Sequence, residues 1–171
     1  MKLIKGLALL LLLGGAACPY TLVRERSATL PAGVRSLAVP LARNLTIEAG
    51  LEDVFTQSLI QTLRADGRVT ILSVESADAA LRCTLFKLQL APQAYSKEGR
   101  ISIERAVIEA ECALTLADTG AVVFRTGKLR ATEEYPVGND YLMNERVKAA
   151  ALQQICADLA ESVRSLLLDS F

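Results

Sequence analysis

The runs AALRCTLFKLQL (79–90) and RISIERAVIEAECALTLA (100–117) read as two long strands around the loop APQAYSKEG (91–99). In the second run Ala106, Ile108, Ala110, Cys112, Leu114 and Leu116 share one face, while Arg105, Glu109 and Glu111 share the other. Side chains that alternate this way belong to a strand with one face on a core and one in water. A loop centred near residue 97 or 98 sets Cys83 opposite Cys112, and a cross-strand disulfide is one reading of the pair. Two small buried hydrophobes is the other, because a one-residue slip of register sends the two to opposite faces.

Outward from this hairpin, DTG (118–120) is a tight turn into a further strand, AVVFRTGKLRATEE (121–134). A long helix is expected from an Asn139 cap, with Ala151, Ile155, Leu159, Val163 and Leu166 or Leu167 as its buried stripe. On the other side, GVRSLAVPL (33–41) carries alternating Leu37, Val39 and Leu41, a short first strand. GLEDVFTQSLIQTLRADG (50–67) places Leu51, Val54, Phe55, Leu59 and Leu63 on one helical stripe, closed by Gly67. RVTILSV (68–74) is a brief strand, so strand–helix–strand here predicts a parallel pair joined by a crossover. The succession, five strands and two helices, predicts an α+β two-layer sandwich, a mixed β-sheet covered on one face by two helices.

The N-terminus has a different grammar. Lys2 and Lys5 precede the apolar run Leu7–Leu13, and Gly14 to Ala17 are all small, the order of a secretory signal. The run is too short to cross a bilayer, which takes roughly 20 apolar residues. GAAC suits two peptidases, an ordinary one cutting after Ala17 and the lipoprotein one that acts once lipid is attached to the cysteine. Either way residues 1–17 are expected to leave, and lipidation of Cys18 is the favoured reading. Residues 18–171 are then expected to form one domain. Loss of Lys2 and Lys5 takes 19 basic residues to 17 against 19 acidic, a net charge of −2.

That balance, without basic blocks, gives no footprint for nucleic acid. The chain has no histidine, which removes Ser–His and Cys–His nucleophile pairs and His-containing zinc sites. Cys83, Cys112 and Cys156 are far apart without a CxxC pair, so no metal site is read, and Cys156 reads as packing. No cofactor and no enzymatic activity are expected. RTGKL (125–129) resembles the end of a phosphate-binding loop, but Val122 stands at its first glycine and Leu129 at its Ser/Thr. Glu104, Glu109 and Glu111 read as a solvated sheet face, NLT (44–46) as an uninformative acceptor match, and Tyr135 as a seal on the core edge. The tip SKEGR (96–100) is open to two readings. Lys97 and Arg100 are either ordinary turn solubility or a cationic contact for phosphate or carboxylate.

In succession, CPYTL (18–22), LPAGVRSLAVPLARNLTIEAGLEDVFTQSLIQTLRADGRV (30–69), SADAAL, YSKEGR, DTGAVVF, EEYPVGND and DLAESVRSLLLDSF resemble the LptE family of lipopolysaccharide-assembly lipoproteins. The resemblance implies an outer-membrane protein held by lipid on Cys18 that plugs the LptD β-barrel and contacts lipopolysaccharide. Lys97, with Arg100 adjacent, falls at a basic position of that family's hairpin. A second basic position, entering the last helix, finds Leu142 and Met143 instead. The alternative is a lipoprotein subunit of another envelope secretion or transport assembly, since a scaffold does not choose among partners.

Overall fold

The computed structural model describes Leu30 and residues 33–169; Cys18 and the leader lie outside them. Nine elements follow one another: β1 (Ser36–Ala38), β2 (Arg43–Asn44), α1 (Leu51–Asp66), β3 (Thr70–Ile71), β4 (Ala79–Tyr95), β5 (Ile101–Leu116), β6 (Val122–Arg125), β7 (Leu129–Pro136) and α2 (Tyr141–Asp169). The strands form one mixed sheet in the order β3-β1-β4-β5-β6, with β2 also on β4 and β7 also on β5. β1 runs parallel to both β3 and β4, so α1 is the crossover between a parallel pair. The two helices pack on the same apolar face of the sheet, giving the two-layer α+β arrangement.

Helix α1 is placed by a stripe at helical spacing, in which Leu51, Phe55, Leu59 and Leu63 are buried. Each such side chain contributes about 1.5–3 kcal/mol relative to exposure. Glu52 and Asp53 occupy its first turn, where carboxylates suit the helix dipole. Gly67 ends it with φ 75°, its N–H donating to the Leu63 carbonyl. Val54, expected on the stripe, is exposed; it faces outward, and the next position, Phe55, fills the core.

Helix α2 buries a wide stripe, Ala151, Leu152, Ile155, Cys156, Leu159, Ala160, Val163, Leu167 and Leu168. It needs that width because it lies against α1 as well as the sheet. Leu167, not Leu166, is the inward residue. A charged clasp ties the helix ends together. Asp66 of α1 receives Arg68 at 2.6 Å and Arg164 of α2 at 3.0 Å, and Arg68 also reaches Asp169 at 2.8 Å.

β4 and β5 form the spine. Cys83 is directly opposite Cys112, and the two are disulfide-bonded. Ala79, Leu81, Cys83 and Leu85 point inward. The register then shifts between Leu85 and Lys87, leaving Phe86 as a bulged residue without a partner on β5. A bulge of one residue exchanges the faces of everything beyond it, so Leu88 points toward the helices while Lys87 and Gln89 face away.

Four sequence boundaries are corrected. The first strand stops at Ala38, because Pro40 has no N–H to continue a ladder, and Leu41 is 61% exposed. The segment 91–99 is not all loop. β4 runs to Tyr95, with Pro92 tolerated there because, among the described residues, no strand pairs with β4's other edge beyond Leu85. The strand expected over 121–134 is two strands on β5, separated by Gly127 at φ 67°. Thr126 bridges the break, accepting from the Cys112 N–H through its hydroxyl. Asn139 is not the cap of α2; Asp140 is, its Oδ1 accepting from the Met143 N–H at 3.2 Å.

The long hairpin has two distant ends. Gly33 and Val34 enter beside Ala117 and Asp118 at its foot, and residues 96–100 form its tip. Among the described residues, no helix is long and apolar enough to cross a membrane.

Candidate functional site at the hairpin tip

The tip is a short turn closed by backbone bonds. The Ser96 N–H donates to the Arg100 carbonyl at 2.7 Å, and the Gly99 N–H donates to the Ser96 carbonyl at 3.0 Å. Gly99 has φ 77°, a conformation that favours glycine. Lys97 is exposed at the crest and makes no ion pair among the described residues. Arg100 donates from Nη1 to the Asn139 Oδ1 at 2.9 Å. Three of its five N–H donors sit on other nitrogens, so an anion can still be gripped.

Asn139 is therefore a brace between the hairpin and the segment entering α2. A second brace is the Val137 N–H, which donates to the Ser102 carbonyl at 3.0 Å. Sequence reading assigned Asn139 to the helix end and missed this link, since nothing local couples two residues 39 apart. A shallow depression lies between the braced segments, lined by Ser96, Glu98, Arg100 and Asn139 among others. Glu98 stands between the two cations, its carboxyl held below its ordinary value chiefly by the Ser96 hydroxyl.

Where a second cation was sought, the helix start presents Tyr141, Leu142 and Met143, all more than half exposed. Arg146 follows one turn beyond Leu142 on the same helix face and is exposed. Tyr95 and Ile101 flank the tip itself and are exposed as well. The end of the molecule that carries Lys97 and Arg100 is thus amphiphilic, with cations set among aliphatic and aromatic groups. This mixture suits a ligand with charged groups beside hydrocarbon.

The carboxylate trio does not gather. Glu109 pairs with Lys87 at 3.7 Å and Glu111 with Arg125 at 3.5 Å on the open face of the sheet. Glu104 belongs to the other face and accepts a hydrogen bond from the Tyr135 hydroxyl. Burial, then that carboxylate, pushes the Tyr135 phenol well above its ordinary pKa. Cys156 is fully buried, and burial pushes its thiol up to about 12, which leaves it unreactive.

The sequence model of the family described as LptE, lipopolysaccharide-assembly, matches residues 34–167. No protein with a curated description matches the sequence significantly. Among solved structures, lipoprotein B from Nitrosomonas europaea is similar at 16% identity over 86% of this chain and 90% of that one, with a TM-score of 0.59. Rare lipoprotein B from Shewanella oneidensis is similar at 16% identity over 80% and 92%, TM-score 0.53. A PelC dodecamer from Paraburkholderia phytofirmans is similar at 18% identity over 82% and 93%, TM-score 0.51. At these identities the likeness is one of fold.

Proposed function

The chain belongs to the LptE family of lipopolysaccharide-assembly proteins, and from that premise we propose that it is an outer-membrane lipoprotein that plugs and assists the assembly of an LptD β-barrel. Membership over residues 34–167 is the observation that carries the reading. Its attachment is lipid on Cys18, and residues 18–171 work as one domain. The protein acts by binding and not by turnover, in keeping with a chain that has no histidine.

Contact with lipopolysaccharide falls to the hairpin tip. Lys97 supplies a point charge and Arg100 a planar donor fork for phosphate oxygens. Tyr95, Leu142 and Met143 offer apolar surface for acyl chains. The Asn139 brace holds Arg100 in place before the ligand arrives, which lowers the ordering cost of binding.

Two experiments test this. Purification of the native protein from outer membranes in mild detergent should bring down a large β-barrel in stoichiometric amount, identified by mass spectrometry. Recovery of other envelope components without such a barrel would transfer the protein to a different secretion or transport assembly. For the tip, the double variant Lys97→Glu/Arg100→Glu should lose at least tenfold in affinity for lipopolysaccharide. Unchanged binding would remove the tip from the site.

A further inference from the structure

Among the described residues, the sheet has a helix layer on one face and nothing on the other. That open face is not apolar, as a surface awaiting a hydrophobic partner or a bilayer interior would be. It carries three cross-strand ion pairs: Lys87–Glu109, Arg105–Glu134 and Arg125–Glu111. Each of its carboxylates is thereby used. Four further cations remain, Arg43, Arg82, Lys128 and Arg130, all exposed and none in an ion pair within 4.0 Å among the described residues. Lys128 lies 5.7 Å from the ring centre of the bulged Phe86, and Arg82 and Arg125 border the same shallow depression.

The helix layer has the opposite sign. α1 contains Glu52, Asp53 and Asp66 against Arg64. In α2, Glu145, Asp158, Glu161 and Asp169 outnumber Arg146, Lys148 and Arg164. The molecule is polarised across its thickness, sheet face positive and helix layer negative.

Resting on the family reading above, we infer that the open sheet face docks on a carboxylate-bearing stretch of the inner wall of the barrel. Charge complementarity selects this occupant. A second copy laid sheet to sheet would set cation against cation, and copies stacked helix layer on sheet would not close into a pair. The segment ahead of Leu30 brings Arg24 and Arg26 against Glu25, again the wrong sign. Barrel walls present polar side chains inward, and a polar, ion-paired sheet face meets such a wall without burying unpaired apolar surface. Arg82, Lys128 and Arg130 fix which side of the plug turns to which side of the lumen, because like charges brought together on a wrong rotation are penalised.

The test uses the full chain co-expressed with its barrel. Arg82→Glu/Lys128→Glu/Arg130→Glu should lower barrel recovery at least tenfold, whereas Arg64→Glu on the helix layer should leave it within twofold. The milder Arg82→Gln/Lys128→Gln/Arg130→Gln guards against misfolding. It should weaken recovery several-fold and flatten its dependence on salt between about 50 and 500 mM. If wild-type protein recovers the barrel and neither sheet-face variant weakens it, the docking face is wrong while the family reading stands. If wild-type protein recovers no barrel, the proposed barrel-plug function fails and this inference falls with it.

Discussion

Arg100 reaches across 39 residues of sequence to donate to the side-chain carbonyl of Asn139 at 2.9 Å. One bond thus fastens the crest of the hairpin to the approach to α2. Asn139→Ala should leave global stability almost unchanged, by less than about 1 kcal/mol, since the bond is exposed. It should speed amide exchange across residues 96–101. Hydrogen exchange by mass spectrometry reads this directly, and unaltered protection at the tip would mean that the turn's own backbone bonds suffice.

The Cys83–Cys112 bridge closes a loop with a sequence separation of 29. Peptide mapping without reductant should recover the cross-linked pair, with Cys156 as a free thiol. Cys83→Ser/Cys112→Ser should cost roughly 2–4 kcal/mol of stability. A chemical melt superimposable on the wild type would deny the bridge any such role.

Asp66 lies between Arg68 and Arg164, and the hydrogen bond from Arg68 above all holds its carboxyl below the ordinary value. A lowered folded pKa gives stability that is present above the unfolded value of about 3.9 and is lost as pH falls through the folded one. Asp66→Asn should therefore melt earlier at pH 7, by roughly 1–3 kcal/mol. The difference should narrow as the pH falls below the unfolded value. A gap that persists undiminished in acid would assign the effect to packing and not to charge.

Tyr135 is 4% exposed, and its hydroxyl donates to Glu104. Its folded pKa is raised, so its contribution is present below the unfolded value of about 10 and fades as pH rises through the folded one. Alkaline titration followed by phenolate absorbance should show one tyrosine ionising later in the native than in the denatured protein. That lag should vanish in Tyr135→Phe, with a loss of about 1 kcal/mol. Native and denatured titrations that coincide would contradict the buried phenol.

The hairpin was legible because alternation over 100–117 fixes the faces of β5, and a loop near residue 97 or 98 makes partners of residues whose numbers sum to 195, Cys83 and Cys112 among them. The two helical stripes were legible for the same reason, periodicity against a core. Non-local features were not. Phe86 is one β-former among many, and nothing beside it announces that the strand gains a residue there. Gly127 separates β6 from β7 although both pair with β5, and nothing local announces the break. The neighbours Asn139 and Asp140 are equally good caps in isolation, and it took Arg100, from the far side of the chain, to claim the first and leave the helix to the second. At the candidate site, Lys97 and Arg100 could be named from the sequence, whereas the apolar company they keep at Tyr141, Leu142 and Met143 is a matter of the tertiary fold. The family resemblance carried by the succession of short stretches matches what the family comparison finds over residues 34–167.

β4 holds 17 residues in one extended run, roughly 50 Å at the rise of a strand. Gly33 and Val34 stand at its foot beside Asp118, and Lys97 stands just past its other end. Any tether that grips the chain ahead of Leu30 therefore grips it by the heel. Bonded by a disulfide, braced at Asn139 and backed by two helices, the hairpin is a spacer of fixed length, longer than the roughly 30 Å hydrocarbon layer of a bilayer. Whatever Lys97 and Arg100 meet is thus met at a set distance from the point where the chain enters the domain.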